Sequence, residues 1–146
     1  MSRPGAALVA EVRRRAGGRC EYCRSPEAHA VIGFEVEHII PVKHSGATTT
    51  ENLALACFYC NRYKGPNVAG IAVPDGVVTR LFHPRLDAWD EHFFWEGAML
   101  NPRSDIGAVT IAVLRINLPN AVAVREVWMR EGLWVPGARA DAGAAG

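Results

Sequence analysis

The sequence predicts an α+β fold built on a strand–strand–helix unit, and three observations support this prediction. Four cysteines form two Cys-x-x-Cys pairs that enclose a long segment. Two short runs inside this segment have the residue pattern of β-strands. The second cysteine pair opens a run that suits one or two turns of helix. These features are Cys20/Cys23, Cys57/Cys60, the strand segments 34–39 and 52–56, and the helical segment 58–64.

Glycine and proline set the limits of the elements in the first half. A short helix over residues 6–16, with an apolar side that contains Val12, ends at Gly17-Gly18. The first strand is stopped by Pro41 and followed by a loop over residues 42–51. Alternation along this strand places Phe34, Val36 and His38 on one face and Glu35, Glu37 and Ile39 on the other. The helix after Cys57 is stopped by Gly65-Pro66.

The second half predicts a hairpin and two helices. Ser104 is a suitable N-cap for the first of these helices, and Gly132 closes the second. The predicted elements are a strand over 77–82, a hairpin of 89–95 with 98–100 turning at Glu96-Gly97, and helices over 105–116 and 119–131. We expect one domain over residues 1–136, with a core at about 18–68 and an extension over 69–136. The Ala/Gly-rich residues 137–146 are expected to be a disordered tail.

Composition excludes several classes of protein. The chain of 146 residues is 49% hydrophobic and 21% charged, which fits one globular domain. No apolar run approaches the roughly 20 residues of a membrane span. The apolar run at Ala6–Ala10 is too short for a secretory signal, so we expect a cytoplasmic protein. Net charge is only +1, but residues 1–66 hold nine basic against six acidic side chains. A solvated helix face would explain this excess as well as a nucleic-acid partner would.

The two cysteine pairs are best explained as one structural zinc site. Four thiolates in two close pairs can complete a tetrahedral shell around one ion. Such a closed shell leaves no coordination position for substrate, so the zinc would be a scaffold. Two disulfides would suit a secreted protein, and a thioredoxin-like redox centre would need only one Cys-x-x-Cys near a βαβ pattern. The predicted ligands are Cys20, Cys23, Cys57 and Cys60.

A zinc clamp made of cysteines leaves the polar residues between them for other chemistry. His38 is a suitable general base for water near pH 7. The carboxylate of Glu37 and the amide oxygen of Asn61 are hard donors that suit Mg²⁺ or Mn²⁺. Neighbours on a strand face opposite ways, but the strand is expected to end near Pro41, which would let Glu37 and His38 converge. Arg62 and Lys64 follow Asn61 closely enough to contact the same phosphate backbone.

These residues together resemble the HNH endonucleases in their zinc-stapled form. The similar stretch runs from Cys20 to Lys64 and contains the spacing His38-x13-Asn52-x8-Asn61, the form of the motif in which asparagine replaces the last histidine. The segment 81–93 and the region near Gly107 and Asn117 are similar to the tail of many small stand-alone bacterial HNH proteins. The resemblance therefore extends over nearly the whole chain.

The resemblance implies a ββα-metal (His-Me finger) core with helical flanks and a metal-dependent DNA endonuclease activity. It implies that His38 is the general base and that Glu37 and Asn61 hold one Mg²⁺ or Mn²⁺ ion. Asn52 would bridge the loop between the two strands and orient His38. The expected partner is double-stranded DNA, contacted mainly through phosphates, with Arg62 and Lys64 as candidate contacts. Glu37 departs from the family, in which aspartate is commoner. We interpret the longer side chain as a change in the position of the metal or in the preferred ion, because the donor oxygen is retained.

Each polar residue also has a purely structural interpretation. His38 would then be a hydrogen-bonded core histidine, Asn52 a turn residue and His44 a solvated loop residue. Downstream, the histidines and acidic residues of the aromatic segment are also candidates for a second metal site. The aromatic residues of this segment favour a role in the core instead. That group is His83, His92, Asp87, Asp90 and Glu91. Arg80 and Arg85 either contact DNA or cover apolar surface with their stems.

Two other functions compete with the nuclease. One is a zinc-stapled nucleic-acid-binding module without catalysis, which would have no need of Glu37, His38 and Asn61 together. The other is a structural zinc-ribbon protein that binds another protein, supported only by the aromatic segment 82–95.

Overall fold

The computed structural model describes residues 3–137. The described chain is α+β, as predicted, with helices and small antiparallel sheets of two strands each. The helices are α1 (Ala6–Ala16), α2 (Phe58–Lys64), α3 (Trp89–His92), α4 (Asp105–Val113) and α5 (Pro119–Arg130). The strands are β1 (Glu35–His38), β2 (Leu53–Ala56), β3 (Ala69–Ile71), β4 (Val78–Arg80), β5 (Phe93–Glu96) and β6 (Met99–Pro102). The tail predicted for 137–146 lies, beyond Gly137, outside the described residues.

The central unit is the predicted strand–strand–helix arrangement. Strands β1 and β2 are antiparallel, and His38 pairs with Leu53 at the end of the ladder. Every residue of β2 is buried, which explains its apolar Leu-Ala-Leu-Ala sequence without alternation. Helix α2 follows at once, and Cys57 caps it by accepting a hydrogen bond from the Cys60 amide at 3.4 Å. The hairpin and the helix therefore meet at the second cysteine pair.

Helix α1 covers the outer side of the hairpin. Its limits match the predicted 6–16, because Gly17 adopts the left-handed conformation (φ 63°) and its amide bonds the Arg14 carbonyl. Val12 is fully buried against the hairpin. Arg15 reaches over β2 and donates to the Leu53 carbonyl at 2.8 Å, which occupies an acceptor that the strand ladder leaves available. Helix α1 thus holds β2 both by apolar packing and by a side-chain hydrogen bond.

The C-terminal extension packs on the first cysteine pair. The indole of Trp89 donates to the Tyr22 carbonyl at 2.8 Å, and the Phe82 ring meets the Tyr22 ring edge-on. One cluster of buried side chains runs from Val12 through the cysteines to Ile116. Burial of such large aromatic groups is a major source of stability. The extension therefore shares its core with the segment that carries the candidate site.

Two elements of the extension differ from the sequence prediction. Residues 89–92 form α3 rather than strand, and the hairpin strand begins only at Phe93, although the predicted turn at Glu96-Gly97 is present. Strand β3 was not predicted, because a three-residue strand with a central glycine carries almost no strand signal. Gly70 is required there by packing, since a Cβ atom would lie 2.6 Å from Cγ1 of Val109 on α4.

The two C-terminal helices follow the prediction closely. Ser104 caps α4 by accepting from the Gly107 amide at 3.0 Å, and α5 begins at Pro119 as expected. Helix α4 ends at Val113, earlier than predicted, because Arg115 takes a positive φ of 50°. Among residues 3–137, no helix has the length and apolar character that crossing a membrane requires.

Candidate functional site

The four cysteines converge into one buried cluster. Their Sγ atoms all lie within 4.8 Å of one another, and each residue is at most 8% exposed. The Sγ atoms of Cys23 and Cys57, which belong to different pairs, are 3.8 Å apart. A tetrahedron with Zn–S bonds of about 2.3 Å has S–S edges of about 3.8 Å. The cluster therefore has the dimensions of a four-thiolate zinc shell, and none of its cysteines forms a disulfide.

The electrostatics of the cluster also call for a cation. Burial raises the pKa of Cys20 well above its usual value, whereas hydrogen bonds from the other thiols, led by Cys20, lower that of Cys23. These pKa shifts run in opposite directions, so the four buried thiols do not all ionise together without a metal. A divalent ion removes this conflict because it allows all the ligands to ionise. The four cysteines are positioned to bind a metal such as zinc.

Arg125 of α5 adds positive charge beside the cysteines. Arg125 is only 3% exposed, and together with three of the cysteines it lines a cavity of about 50 Å³. Its guanidinium donates to the carbonyls of Ala98 and Ile116 at 2.8 and 3.1 Å. Burial lowers the pKa of Arg125, and the nearby thiols oppose this shift. The extension therefore contributes a buried cation to the surroundings of the metal cluster.

His38 lies at the end of β1, where the strand meets the loop. His38 is half-buried, and its Nε2 atom is 2.8 Å from the hydroxyl of Thr48. This contact fixes the ring against the loop and leaves the second ring nitrogen, Nδ1, as the other polar atom. A half-exposed imidazole with one nitrogen engaged is suited to proton transfer at the other.

Asn52 holds the loop that carries Thr48. Both ends of its side-chain amide bond backbone groups, with Oδ1 accepting from the Ile40 amide at 2.9 Å. Nδ2 donates to the carbonyls of Ile40 and Ala47 at 2.9 and 2.8 Å. Gly46 is required beside this clamp, since a Cβ atom there would lie 1.7 Å from the Ile40 carbonyl oxygen. Asn52 therefore ties Ala47, within the loop, to Ile40, just before it.

Glu37 points the other way, into the core. It is 9% exposed and accepts hydrogen bonds from the Tyr22 hydroxyl and from the Lys64 ammonium, the latter at 3.2 Å. Burial raises the pKa of Glu37, and the charge of Lys64 and the hydrogen bond from Tyr22 offset this rise. Removing one partner of such a buried pair typically costs roughly 3–5 kcal/mol of stability. The pair thus ties β1 to α2.

Lys64 is an interior residue rather than a surface cation. It is 1% exposed, and its ammonium also donates to the His38 carbonyl at 3.2 Å. The sequence analysis placed Lys64 at the phosphates, but a buried ammonium cannot reach solvent-exposed DNA without leaving Glu37. Arg62, on the opposite side of α2, is exposed.

The candidate ligands of a catalytic metal, Glu37 and Asn61, carry the oxygen donors that a divalent ion prefers. Asn61 is half-buried on α2, and its side chain makes no hydrogen bond with any of residues 3–137. An ionised carboxylate offers about four acceptor positions, and Tyr22 and Lys64 use two of those on Glu37. The ammonium of Lys64 would nevertheless repel a cation bound to the same carboxylate. Glu37 and Asn61 thus retain hard donor capacity, although Glu37 is already engaged.

The second group of acids and histidines does not converge. Asp87 forms an ion pair with Arg80 at 2.7 Å and accepts from the His83 amide at 2.8 Å. His92 bonds the Ser104 hydroxyl at 2.6 Å instead. Within the part of the chain that the structure describes, the four cysteines are the one cluster of three or more potential ligands. The second metal site considered in the sequence analysis is therefore not formed.

Comparison with known proteins supports the family predicted from the sequence. Residues 20–67, which are 48 of the 146 residues, match the family model of the HNH endonucleases. The match begins at the first cysteine and contains both cysteine pairs, His38, Asn52 and Asn61. It confirms the resemblance for this segment and suggests a nuclease activity. A comparison with curated proteins gave no match.

Tyr22 and Thr48 are residues of the site that the sequence did not single out. Tyr22 is fully buried between the first cysteine pair and Glu37, and burial raises its pKa well above the usual value. Its position inside a cysteine knuckle was the only available signal. Thr48 is one of three consecutive threonines in the loop, and nothing in the sequence distinguishes it from Thr49 and Thr50.

Proposed function

We propose that the protein is a metal-dependent endonuclease that hydrolyses phosphodiester bonds of double-stranded DNA. The observation that carries the proposal is the common placement of His38, Asn52 and Asn61 on one cysteine-clamped ββα unit that matches the HNH family. The cluster of Cys20, Cys23, Cys57 and Cys60 would hold a structural zinc ion. His38 would act as general base toward the attacking water.

The proposed roles follow from what each side chain contacts. Asn52 keeps the loop after His38 closed, so the imidazole does not have to be ordered when substrate binds. Glu37 and Asn61 would hold one Mg²⁺ or Mn²⁺ ion, which when bound stabilises negative charge on the phosphate and on the leaving oxygen. Arg62 would neutralise a neighbouring backbone phosphate.

One observation favours a second function. Because Glu37 is engaged by Tyr22 and Lys64, the same structure also suits a zinc-stapled module that binds nucleic acid without cutting it. Incubation of the purified protein with supercoiled plasmid separates the two. A nuclease converts the plasmid to nicked or linear forms with Mg²⁺ or Mn²⁺ and stops when EDTA is added in excess. Binding without any conversion, by protein that retains its zinc, would favour the binding module.

Asn61 provides the cleaner test of the catalytic metal. We expect Asn61→Ala to raise the Mn²⁺ concentration for half-maximal nicking at least about tenfold, because a direct oxygen donor is lost. The variant should unfold at the wild-type temperature, since the side chain makes no hydrogen bond within residues 3–137. Electron paramagnetic resonance of Mn²⁺ titrated into DNA-free protein gives the affinity independently of activity.

Asn67→Ala is the matched control, because Asn67 is an exposed asparagine of the same segment. It should leave both Mn²⁺ affinity and nicking unchanged. Equal Mn²⁺ requirements for Asn61→Ala and the wild type would remove Asn61 from the ligand set. Glu37→Gln is less informative alone, because it also breaks the ion pair with Lys64.

Arg62 tests the mode of DNA binding. We expect duplex affinity to fall steeply with salt and to depend little on sequence, because phosphate contacts release condensed counterions. Arg62→Ala should weaken binding similarly on all sequences and reduce the slope of log affinity against log salt by about one. Fluorescence anisotropy on several unrelated duplexes, over a range of salt concentrations, measures both quantities.

Arg130→Ala changes the net charge equally, but Arg130 is an exposed residue of α5, outside the matched segment. It should leave the salt slope unchanged. The proposed mode of binding would be wrong if Arg130→Ala reproduced the effect of Arg62→Ala. Tight, salt-insensitive binding to one short sequence would also contradict it.

A further inference from the structure

The hydroxyl of Thr48 lies within hydrogen-bond distance of the imidazole of His38. Oγ1 of Thr48 lies 2.8 Å from Nε2, well within hydrogen-bond distance, and both residues are half-buried. His38 ends β1, whereas Thr48 stands ten residues later in the loop. The contact therefore depends on how the loop folds and not on the strand ladder.

The loop is constrained on the side next to Thr48. The carbonyl of Ala47, directly before it, accepts from Asn52 at 2.8 Å. The backbone at Gly46 passes so close to Ile40 that a side chain there would not fit. The Gly46 amide also bonds the Pro41 carbonyl at 3.0 Å. These contacts fix the backbone from which the Thr48 hydroxyl reaches the ring, so Asn52 acts on His38 through Thr48 as well as through Ile40.

The direction of this hydrogen bond decides which ring nitrogen can accept a proton. A neutral imidazole carries one proton, and its two nitrogens have opposite roles. If Nε2–H donates to Thr48, Nδ1 keeps its lone pair and is available as a base. If the hydroxyl donates to Nε2 instead, the proton resides on Nδ1, and neither nitrogen is open to accept one from water.

We propose that Thr48 is a positioning residue that accepts a hydrogen bond from Nε2–H of His38 and so presents Nδ1 to the attacking water. This proposal rests on the proposed function and extends it. Nδ1 takes one proton from the water, and the remaining hydroxide forms the new bond to phosphorus. The P–O3′ bond breaks, and the leaving 3′-oxygen is protonated by solvent. The resulting imidazolium carries both ring protons, and Thr48 still accepts from Nε2–H.

Two substitutions at Thr48 separate its hydroxyl from its shape. Thr48→Val removes the hydroxyl but keeps the branched volume, and we expect kcat for plasmid nicking to fall about tenfold with KM unchanged. Thr48→Ser keeps the hydroxyl and should restore kcat to within about threefold of the wild type. Thr49→Val is the control, because Thr49 is the exposed neighbour, and it should behave as the wild type.

A second measurement reads the hydrogen bond without activity. Nitrogen-15 NMR of the zinc-loaded protein, with His38 assigned by the spectrum of His38→Ala, identifies which ring nitrogen is protonated. We expect a single Nε2–H tautomer in the wild type and in Thr48→Ser, and a mixture of tautomers in Thr48→Val. Circular dichroism and zinc content should be the same for all these proteins.

The two readouts also distinguish this proposal from the proposed function. An Nδ1–H tautomer in the wild type, or a wild-type kcat for Thr48→Val, would overturn the role of Thr48 while nicking itself remained. A Thr48→Val defect that Thr48→Ser shares would assign the effect to packing and would also overturn the role. A wild-type protein that retains zinc but never nicks DNA would instead reject the proposed function, and the tautomer would still decide the hydrogen bond.

Discussion

Loss of the metal from the cysteine cluster should unfold the protein rather than only abolish its activity. We expect one zinc ion per chain in protein purified without chelator, and we expect Cys60→Ser or a strong chelator to abolish the cooperative fold. Apparent binding free energies of structural zinc in zinc-finger peptides are about 10–16 kcal/mol. The whole stability of a domain is about 5–15 kcal/mol. Removal of the ion therefore costs about as much free energy as folding supplies.

The surroundings of the cluster strengthen this expectation. Four thiolates around one divalent ion carry two negative charges, and Arg125 from α5 lies beside them with no carboxylate partner among residues 3–137. Without the metal, the pKa values of Cys20 and Cys60 lie well above their usual range, so fewer thiolates face Arg125. Packing of Phe82 and Trp89, from the extension, on Tyr22 would then have to compensate alone.

Elemental analysis and thermal unfolding followed by circular dichroism test this prediction together. Adding zinc back to chelated wild-type protein under reducing conditions is the control, and it should restore the melting transition. Cys60→Ser should not be restored to the wild-type transition by the same treatment. A protein that contains no zinc and still melts cooperatively at the wild-type temperature would contradict a structural metal.

The sequence predicted the elements whose signals are local. The limits of α1 and α2 follow from Gly17 and Gly65, and the Ser104 cap fixes the start of α4, so these agree with the structure to within a residue or two. The cysteine cluster was also predictable, because two Cys-x-x-Cys pairs have the spacing of a single four-thiolate zinc site. The segment between them must fold back for the pairs to meet. Strand β3 was missed because its one distinctive residue, Gly70, is selected by contact with α4, far away in sequence.

The side-chain environments in the candidate site were less accessible to sequence reasoning. Alternation along β1 places Glu37 and His38 on opposite faces, but hydrophobicity gives no reason to bury the glutamate. Burial is tolerated because Tyr22, in the turn of the first cysteine pair, and Lys64, at the end of α2, donate hydrogen bonds to the carboxylate. The sequence predicted Lys64 to be an exposed cation because its buried partner, Glu37, is not evident from local sequence. Pairwise partners of buried charges depend on the tertiary fold, and no local pattern records them.

Replacing His38 should have the largest effect on activity and only a small effect on the fold. We expect His38→Ala to reduce the nicking rate by about 10²–10⁴-fold, because it removes the proton acceptor for the attacking water. Zinc content should be unchanged, since the imidazole is no ligand of the cysteine cluster, and Mn²⁺ affinity should be unchanged because Glu37 and Asn61 remain. The side chain contacts the Thr48 hydroxyl and is only half-buried, so the melting temperature should change little.

His44→Ala is the matched control for this experiment. His44 is exposed in the same loop, six residues further on, and its ring contacts the Pro66 carbonyl at 3.1 Å rather than the hairpin end. A general effect of removing a histidine from this surface, such as weaker DNA binding, would lower the rate in both variants and would appear in KM. Loss of a base at the hairpin end lowers kcat in His38→Ala alone. Nicking by His38→Ala at the wild-type rate, in a preparation free of contaminating nuclease, would exclude His38 as the base and with it the proposed mechanism.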